Sequence, residues 1–150
     1  ERYCIYFTTF NPVDESLRVQ DILTAIAYLQ GRNDTTGINL VGLGEAGLWC
    51  LLANAFATDL NRTAVDVVGF NNRDESAWVE HLNIPGILRV GGFNTAIAYA
   101  APRPLLIHNT AGVFDTERMK ELYGMLGATD NLRVDAQQDS EQEIVDWLVK

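Results

Sequence analysis

Hydrophobic positions in this chain fall into two alternating patterns: short runs that are apolar throughout, and longer stretches with one apolar face. Residues 3–9, Tyr3-Cys-Ile-Tyr-Phe-Thr-Thr9, are apolar and rich in β-formers, which predicts a buried strand. Asn11-Pro12 marks a turn, and Asp14 or Ser16 stands where a helix N-cap belongs. Val19, Ile22, Leu23, Ile26 and Leu29 then recur on one helical face as far as Gly31. A polar turn over residues 33–37 leads into the apolar run from Ile38 to Val41, a glycine turn from Gly42 to Gly47, and an apolar helix from about Glu45 to Thr58. Residues 64–70 predict a third strand.

Between Asn71 and Ala101 the periodicity loosens. A short helix fits Asp74 to Leu82, Ile84-Pro85-Gly86 breaks it, and Leu88 to Phe93 is interrupted by glycine. Another short helix fits Thr95 to Ala101, and residues 104–109 predict a fourth strand. Asp115 caps a helix with Met119, Leu122, Tyr123 and Leu126 at helical spacing. Leu132 to Val134 reads as a short last strand. Glu141 to Val149 reads as a terminal helix burying Ile144, Val145, Trp147 and Leu148. Wholly apolar strands alternating with amphipathic helices predict a mostly parallel sheet covered on both faces, a three-layer αβα sandwich in one domain spanning residues 1–150. Such sheets bind ligands at their C-terminal strand ends. Thr9, Gly44, Phe70 to Asn72 and His108 to Asp115 therefore mark the functional edge.

Composition narrows the function classes. With 11 Lys and Arg against 20 Asp and Glu, the net charge of -9 argues against a nucleic-acid partner and is first of all a solubility feature. No apolar run is long enough for a membrane span, so no membrane partner is expected. The compartment stays open between secreted and cytoplasmic. Cys4, in a predicted strand, and Cys50, on the apolar helix, read as small core residues. His81 and His108 lie in different elements without ligand spacing, so no metal is expected, and no cofactor is implied.

The glycine turn carries two spellings of known sites. As Gly42-x-Gly44-x-x-Gly47 it matches the dinucleotide fingerprint, in which the helix N-terminus receives a pyrophosphate. That reading wants the glycine strand first and an acid at the end of the next strand. Here a strand and a helix precede it, and Asp66 is expected inside its strand, with Asn71 and Asn72 at its end. As Gly42-Leu43-Gly44-Glu45-Ala46-Gly47 it matches a nucleophile elbow with glycine in place of serine.

The second spelling extends beyond the turn. Asn11-Pro12, the helical run Arg18 to Leu29, the elbow, Ala101-Pro-Arg-Pro-Leu-Leu-Ile107 and Val145-Asp-Trp-Leu148 stand in an order that resembles the second half of α/β-hydrolases of the acetyl xylan esterase and dipeptidyl-peptidase-like type. The resemblance implies that the acid of a Ser-His-Asp triad follows Ile107 and its histidine follows the last strand. It also implies either the C-terminal part of a longer protein or a sheet closed differently around five strands. Gly44 leaves no nucleophile, and the last loop reads Asp135-Ala-Gln-Gln-Asp-Ser140, with no histidine after His108. The expectation is a degenerate relative of carbohydrate esterases without serine-hydrolase activity.

The residues left at the edge are Gly44, Glu45, His108 and Asp115, expected to line a crevice for a small-molecule ester, carbohydrate or anion. Glu45 opens a helix, where first-turn acids ordinarily serve the dipole. His108 ends a strand and Asp115 follows seven residues on, within reach of a His108–Asp115 pair. His81, between Trp78 and Leu82, reads as surface or packing. Uncovered strand or apolar surface leads to a rival expectation, an interaction or structural subunit that forms homo-oligomers. An esterase using another nucleophile is a further alternative. Two Asn-x-Thr sequons, Asn33-Asp-Thr35 and Asn61-Arg-Thr63, matter in a secretory host.

Overall fold

The computed structural model describes residues 11–150, so the strand expected over residues 3–9, with Cys4 and Thr9, lies outside the described residues. Four strands, β1 (Ile38–Gly42), β2 (Leu60–Asp66), β3 (Leu105–His108) and β4 (Leu132–Val134), form one sheet in the order β1-β2-β3-β4. Every neighbouring pair is parallel. Parallel neighbours require crossovers. These contain α2 (Ala46–Phe56), then α3 (Glu75–His81) with α4 (Gly92–Ala100), then α5 (Glu117–Met125). Helix α1 (Asp14–Gln30) precedes the sheet and α6 (Glu141–Leu148) follows it.

Strand alternation decides which helix lies on which face. Val65, Leu105 and Ile107 point to one side and pack with Leu48 and Leu51 of α2, Phe93 and Ile97 of α4, and Met119 and Tyr123 of α5. Ala64 and Leu106 point to the other and meet Ile144 and Trp147 of α6. Helix α1 closes the β1 end, with Ile26 clustered beside Ile38 and Leu60. The result is the expected three-layer α/β arrangement with an all-parallel sheet, and its second helix layer is α6 alone among the described residues. Cys50 is buried in the main core, which pushes its thiol pKa up to about 11.

Several boundaries differ from the pattern reading, each for a local reason. Strand β2 begins four residues earlier because its polar residues are covered: Arg62 lies over the Trp147 ring, 5.0 Å from its centre. It ends earlier because Val68 and Gly69 take positive φ. Asp66 is therefore the last residue of β2, not an interior one. Helix α1 has no side-chain cap; Asp14 and Glu15 lie in its first turn instead. In α6, Ile144 and Trp147 face the sheet, which turns Val145 to solvent and leaves Leu148 half-buried. In α5, Met119 and Tyr123 are buried while Leu126 is exposed.

Two glycines let α2 lie directly on the strands. A Cβ at Gly47 would fall on the Asp66 main chain, and one at Gly42 would lie 2.6 Å from the Gly47 Cα. Gly44 is different. Its φ is +59°, yet a Cβ there would meet no atom within 4 Å. Gly47→Ala is therefore expected to lose more than about 3 kcal/mol, while Gly44→Ala loses about 1–2 kcal/mol from backbone conformation alone. Urea unfolding of the two variants checks this ranking.

Candidate functional site

The glycine turn lies where β1 hands over to α2, at the C-terminal edge of the sheet. It closes by a 2.9 Å bond from the Gly47 N–H to the Gly44 carbonyl, which leaves position 44 facing open space. The Gly44 N–H itself points inward, to Asp66 Oδ2 at 3.4 Å. Asp66 Oδ1 accepts from the Val68 N–H and from Asn109 Nδ2, both at 2.8 Å. One carboxylate, on a residue only 2% exposed, thus ties together the ends of β1, β2 and β3. The pattern reading missed this role; the available signal was a lone acid closing an otherwise apolar run before Val-Val-Gly.

Strained backbone gathers around this carboxylate. Val68, Asn109 and Ala111 have φ of +45°, +58° and +48°. Residues held at positive φ cost on the order of 1–3 kcal/mol each and persist where the surroundings over-determine them. Here the surroundings are hydrogen bonds between loops. The Gly69 N–H donates to the Asn109 carbonyl, and the N–H groups of Asn109, Thr110 and Ala111 donate to the carbonyls of Gln137, Asp135 and Ala136.

His108 is opposite Asp66 in register and is 0% exposed. Its Nδ1 accepts from the Asp139 N–H at 3.2 Å, so in this tautomer the proton sits on Nε2, which has no hydrogen-bond partner among the described residues. The Asp139 carboxylate is ion-paired with Arg133 at 3.0 Å, and Arg133 also holds Asp135 at 2.7 Å. Burial, then the neighbouring Asp135 charge, raise the Asp139 pKa above the usual carboxylate range. Asp115 is engaged elsewhere. Its Oδ2 accepts from Arg73 Nε at 2.9 Å and its Oδ1 from the Glu117 N–H at 3.1 Å. The Asn72 amide brackets the Asp115 backbone at 2.7 and 2.9 Å. No hydrogen bond joins His108 to Asp115 among the described residues. Burial works against the Asp115 carboxylate, but the Glu117 N–H and Arg73 outweigh it and hold its pKa below the usual range.

Glu45 makes no side-chain cap bond at the start of α2. Its carboxylate is 70% exposed and stands 4.0 Å from His81 Nδ1. Beside this pair a small crevice of about 200 Å³ is lined by Val68, Gly69, Phe70, Asn71, Ala77 and His81. The ring of Phe70 meets both Trp78 and His81 edge-on. Glu45 is thus brought together with His81, and His108 with Asp139, while Asp115 closes a clamp with Arg73. A larger apolar groove of about 500 Å³ lies away from this edge, between α1, α2 and α4.

Asp66→Asn replaces one acceptor oxygen by a donor amide facing N–H groups, and is expected to cost about 2–4 kcal/mol in urea unfolding near neutral pH. The depressed Asp115 pKa makes its contribution to stability fully present above the unfolded-state value, and lost as pH falls through the folded-state value. Melting temperatures taken from about pH 6 down to about pH 2 should therefore fall more steeply for the parent chain than for Arg73→Ala.

No family model, curated protein or solved structure matches this chain, so the meaning of its edge rests on the geometry just described.

Proposed function

We propose that this chain is an α/β-hydrolase-like domain related to carbohydrate (acetyl xylan) esterases, one that has lost serine hydrolysis and acts by binding. The observation that carries this reading is the state of the elbow. The turn between β1 and α2 keeps positive φ and open space at position 44, where a nucleophile would stand, but the residue is glycine. The other groups of the edge are committed to structure: His108 is buried against Asp139, Asp115 is held by Arg73, and Asp66 takes the inward N–H of the turn. Nucleophilic catalysis needs an accessible nucleophile beside a base.

The crevice favours an uncharged ester or carbohydrate group over an anion. The Gly44 N–H is already satisfied by a carboxylate, and Glu45 places a second one beside the mouth. Such a ligand would find donors and acceptors in Asn71 and His81, with Phe70 as an apolar wall and Glu45 beside His81. The dinucleotide alternative gains an acid at the end of β2 but loses its use, because both Asp66 oxygens already accept N–H groups. Among the described residues the strands also follow chain order without a reversal beside the glycine turn, whereas dinucleotides bind at such reversals. The interaction-subunit reading is favoured by a separate feature, the apolar groove between α1, α2 and α4. Phe56 and Tyr99 line it while remaining 71% and 72% exposed.

Hydrolysis of a short-chain aryl acetate, run with fluorophosphonate labelling, tests the first reading. The expected result is no turnover above buffer and no label, in the parent chain and in Gly44→Ser alike, since serine alone restores no base. Turnover that co-purifies with the chain and falls in Glu45→Ala or His81→Ala would overturn it. Sedimentation that depends on concentration, and loses that dependence in Phe56→Asp, would favour the interaction reading.

A further inference from the structure

Two Asn-x-Thr sequons are present, and the fold treats them oppositely. Asn33 lies in the exposed turn between α1 and β1. Its amide makes no hydrogen bond among the described residues, and neither does the hydroxyl of Thr35. The turn is shaped by its neighbours instead: Arg32 Nε donates to Asp34 Oδ1 at 2.8 Å, and the Arg32 guanidinium lies 5.9 Å from the centre of the Tyr28 ring. Asn61 is exposed but lies inside β2, and its amide packs against Gly37 so closely that a Cβ there would collide with it. Thr63 is buried, and its hydroxyl donates to Asn54 Oδ1 at 3.3 Å. Arg62 between them lies over Trp147.

We propose that Asn33, and not Asn61, is the acceptor of an N-linked glycan on the folded chain. Transfer requires the amide nitrogen and the hydroxyl two residues on to be presented together, on backbone free to enter the transferase. The donor class is a lipid-linked diphosphate oligosaccharide. Asn33 Nδ2 forms a bond to the anomeric carbon, the bond from that carbon to the diphosphate oxygen breaks, and the diphosphate leaves with the electron pair. The amide nitrogen gives up one proton, and nothing is oxidised or reduced. The site feeds the N-terminal end of β1, at the opposite edge of the sheet from Gly44, so a glycan there leaves the crevice open. At Asn61 the same group would displace the packing on Gly37 and pull Thr63 out of the core. Presenting its amide together with the buried Thr63 hydroxyl requires opening β2, and central strands open with free energies approaching that of global unfolding.

The test uses the purified folded chain, a single-subunit oligosaccharyltransferase and a lipid-linked oligosaccharide, with sites mapped by peptide mass before and after amidase release. Occupancy at Asn33 should exceed that at Asn61 by roughly tenfold or more. Chain denatured before the reaction should be modified at both. Asn33→Gln should abolish modification of the folded chain, and Asn61→Gln should leave it unchanged. Occupancy of Asn61 in the folded chain at a level matching Asn33 would overturn the proposal. So would a folded chain left bare while the denatured chain is modified at Asn33, or a denatured chain that accepts no glycan at Asn33.

Discussion

The Asp66 carboxylate is the interaction on which the C-terminal edge depends. Buried carboxylates are costly unless their oxygens are met by hydrogen-bond donors. Here three donors arrive from three different chain segments: the turn after β1, the turn after β2 and the loop after β3. Each donor is in an unusual conformation or beside one, at Gly44, Val68 and Asn109. The strain and the carboxylate are mutually dependent. Without the acceptor the loops lose their reason to bend, and without the bent loops the charge has no solvation. This also explains why the backbone groups of these turns are spent on one another and on Asp66, with His108 Nε2 left without a partner among the described residues.

Much of the fold was legible because it rests on periodicity. The apolar runs at Ile38 to Val41 and Leu105 to Ile107 became strands β1 and β3, on either side of β2, and the 3.6-residue spacing of α1 and α5 held through Ile26, Met119 and Tyr123. What failed was set by tertiary cover. Asn61 and Arg62 look like loop residues until Trp147, 85 positions beyond Arg62, provides a surface for the guanidinium. Val145 looks like core until the sheet selects Ile144 and Trp147 from the same helix. Propensity describes a segment alone, and these residues were decided by what arrived from elsewhere.

The candidate site was legible in its parts and not in its pairings. Gly44 is open and at positive φ, a turn conformation that its glycine spelling made readable. The partners of His108, Asp115 and Glu45 were not readable, because each is set by a loop conformation that spacing does not encode. Asp115 lies seven residues from His108, which suggested a pair. Positive φ at Asn109 and Ala111 redirects the loop, and Arg73 with the Asn72 amide captures Asp115. Asp139 then reaches His108 through its backbone rather than its carboxylate.

The position of α6 has a consequence for how the domain opens. This helix is the sole described cover for Ala64 and Leu106, and Ser140 begins it with a reciprocal capping box to Glu143. The segment just before that cap supplies the carbonyls that hold Asn109, Thr110 and Ala111, and the N–H that reaches His108. The segment joining β4 to α6 carries those acceptors, so release of α6 that spreads into this segment would loosen the loop after the neighbouring strand β3 as well. In hydrogen exchange the amides of residues 109–111 would report the departure of a helix that begins some thirty residues later in the chain.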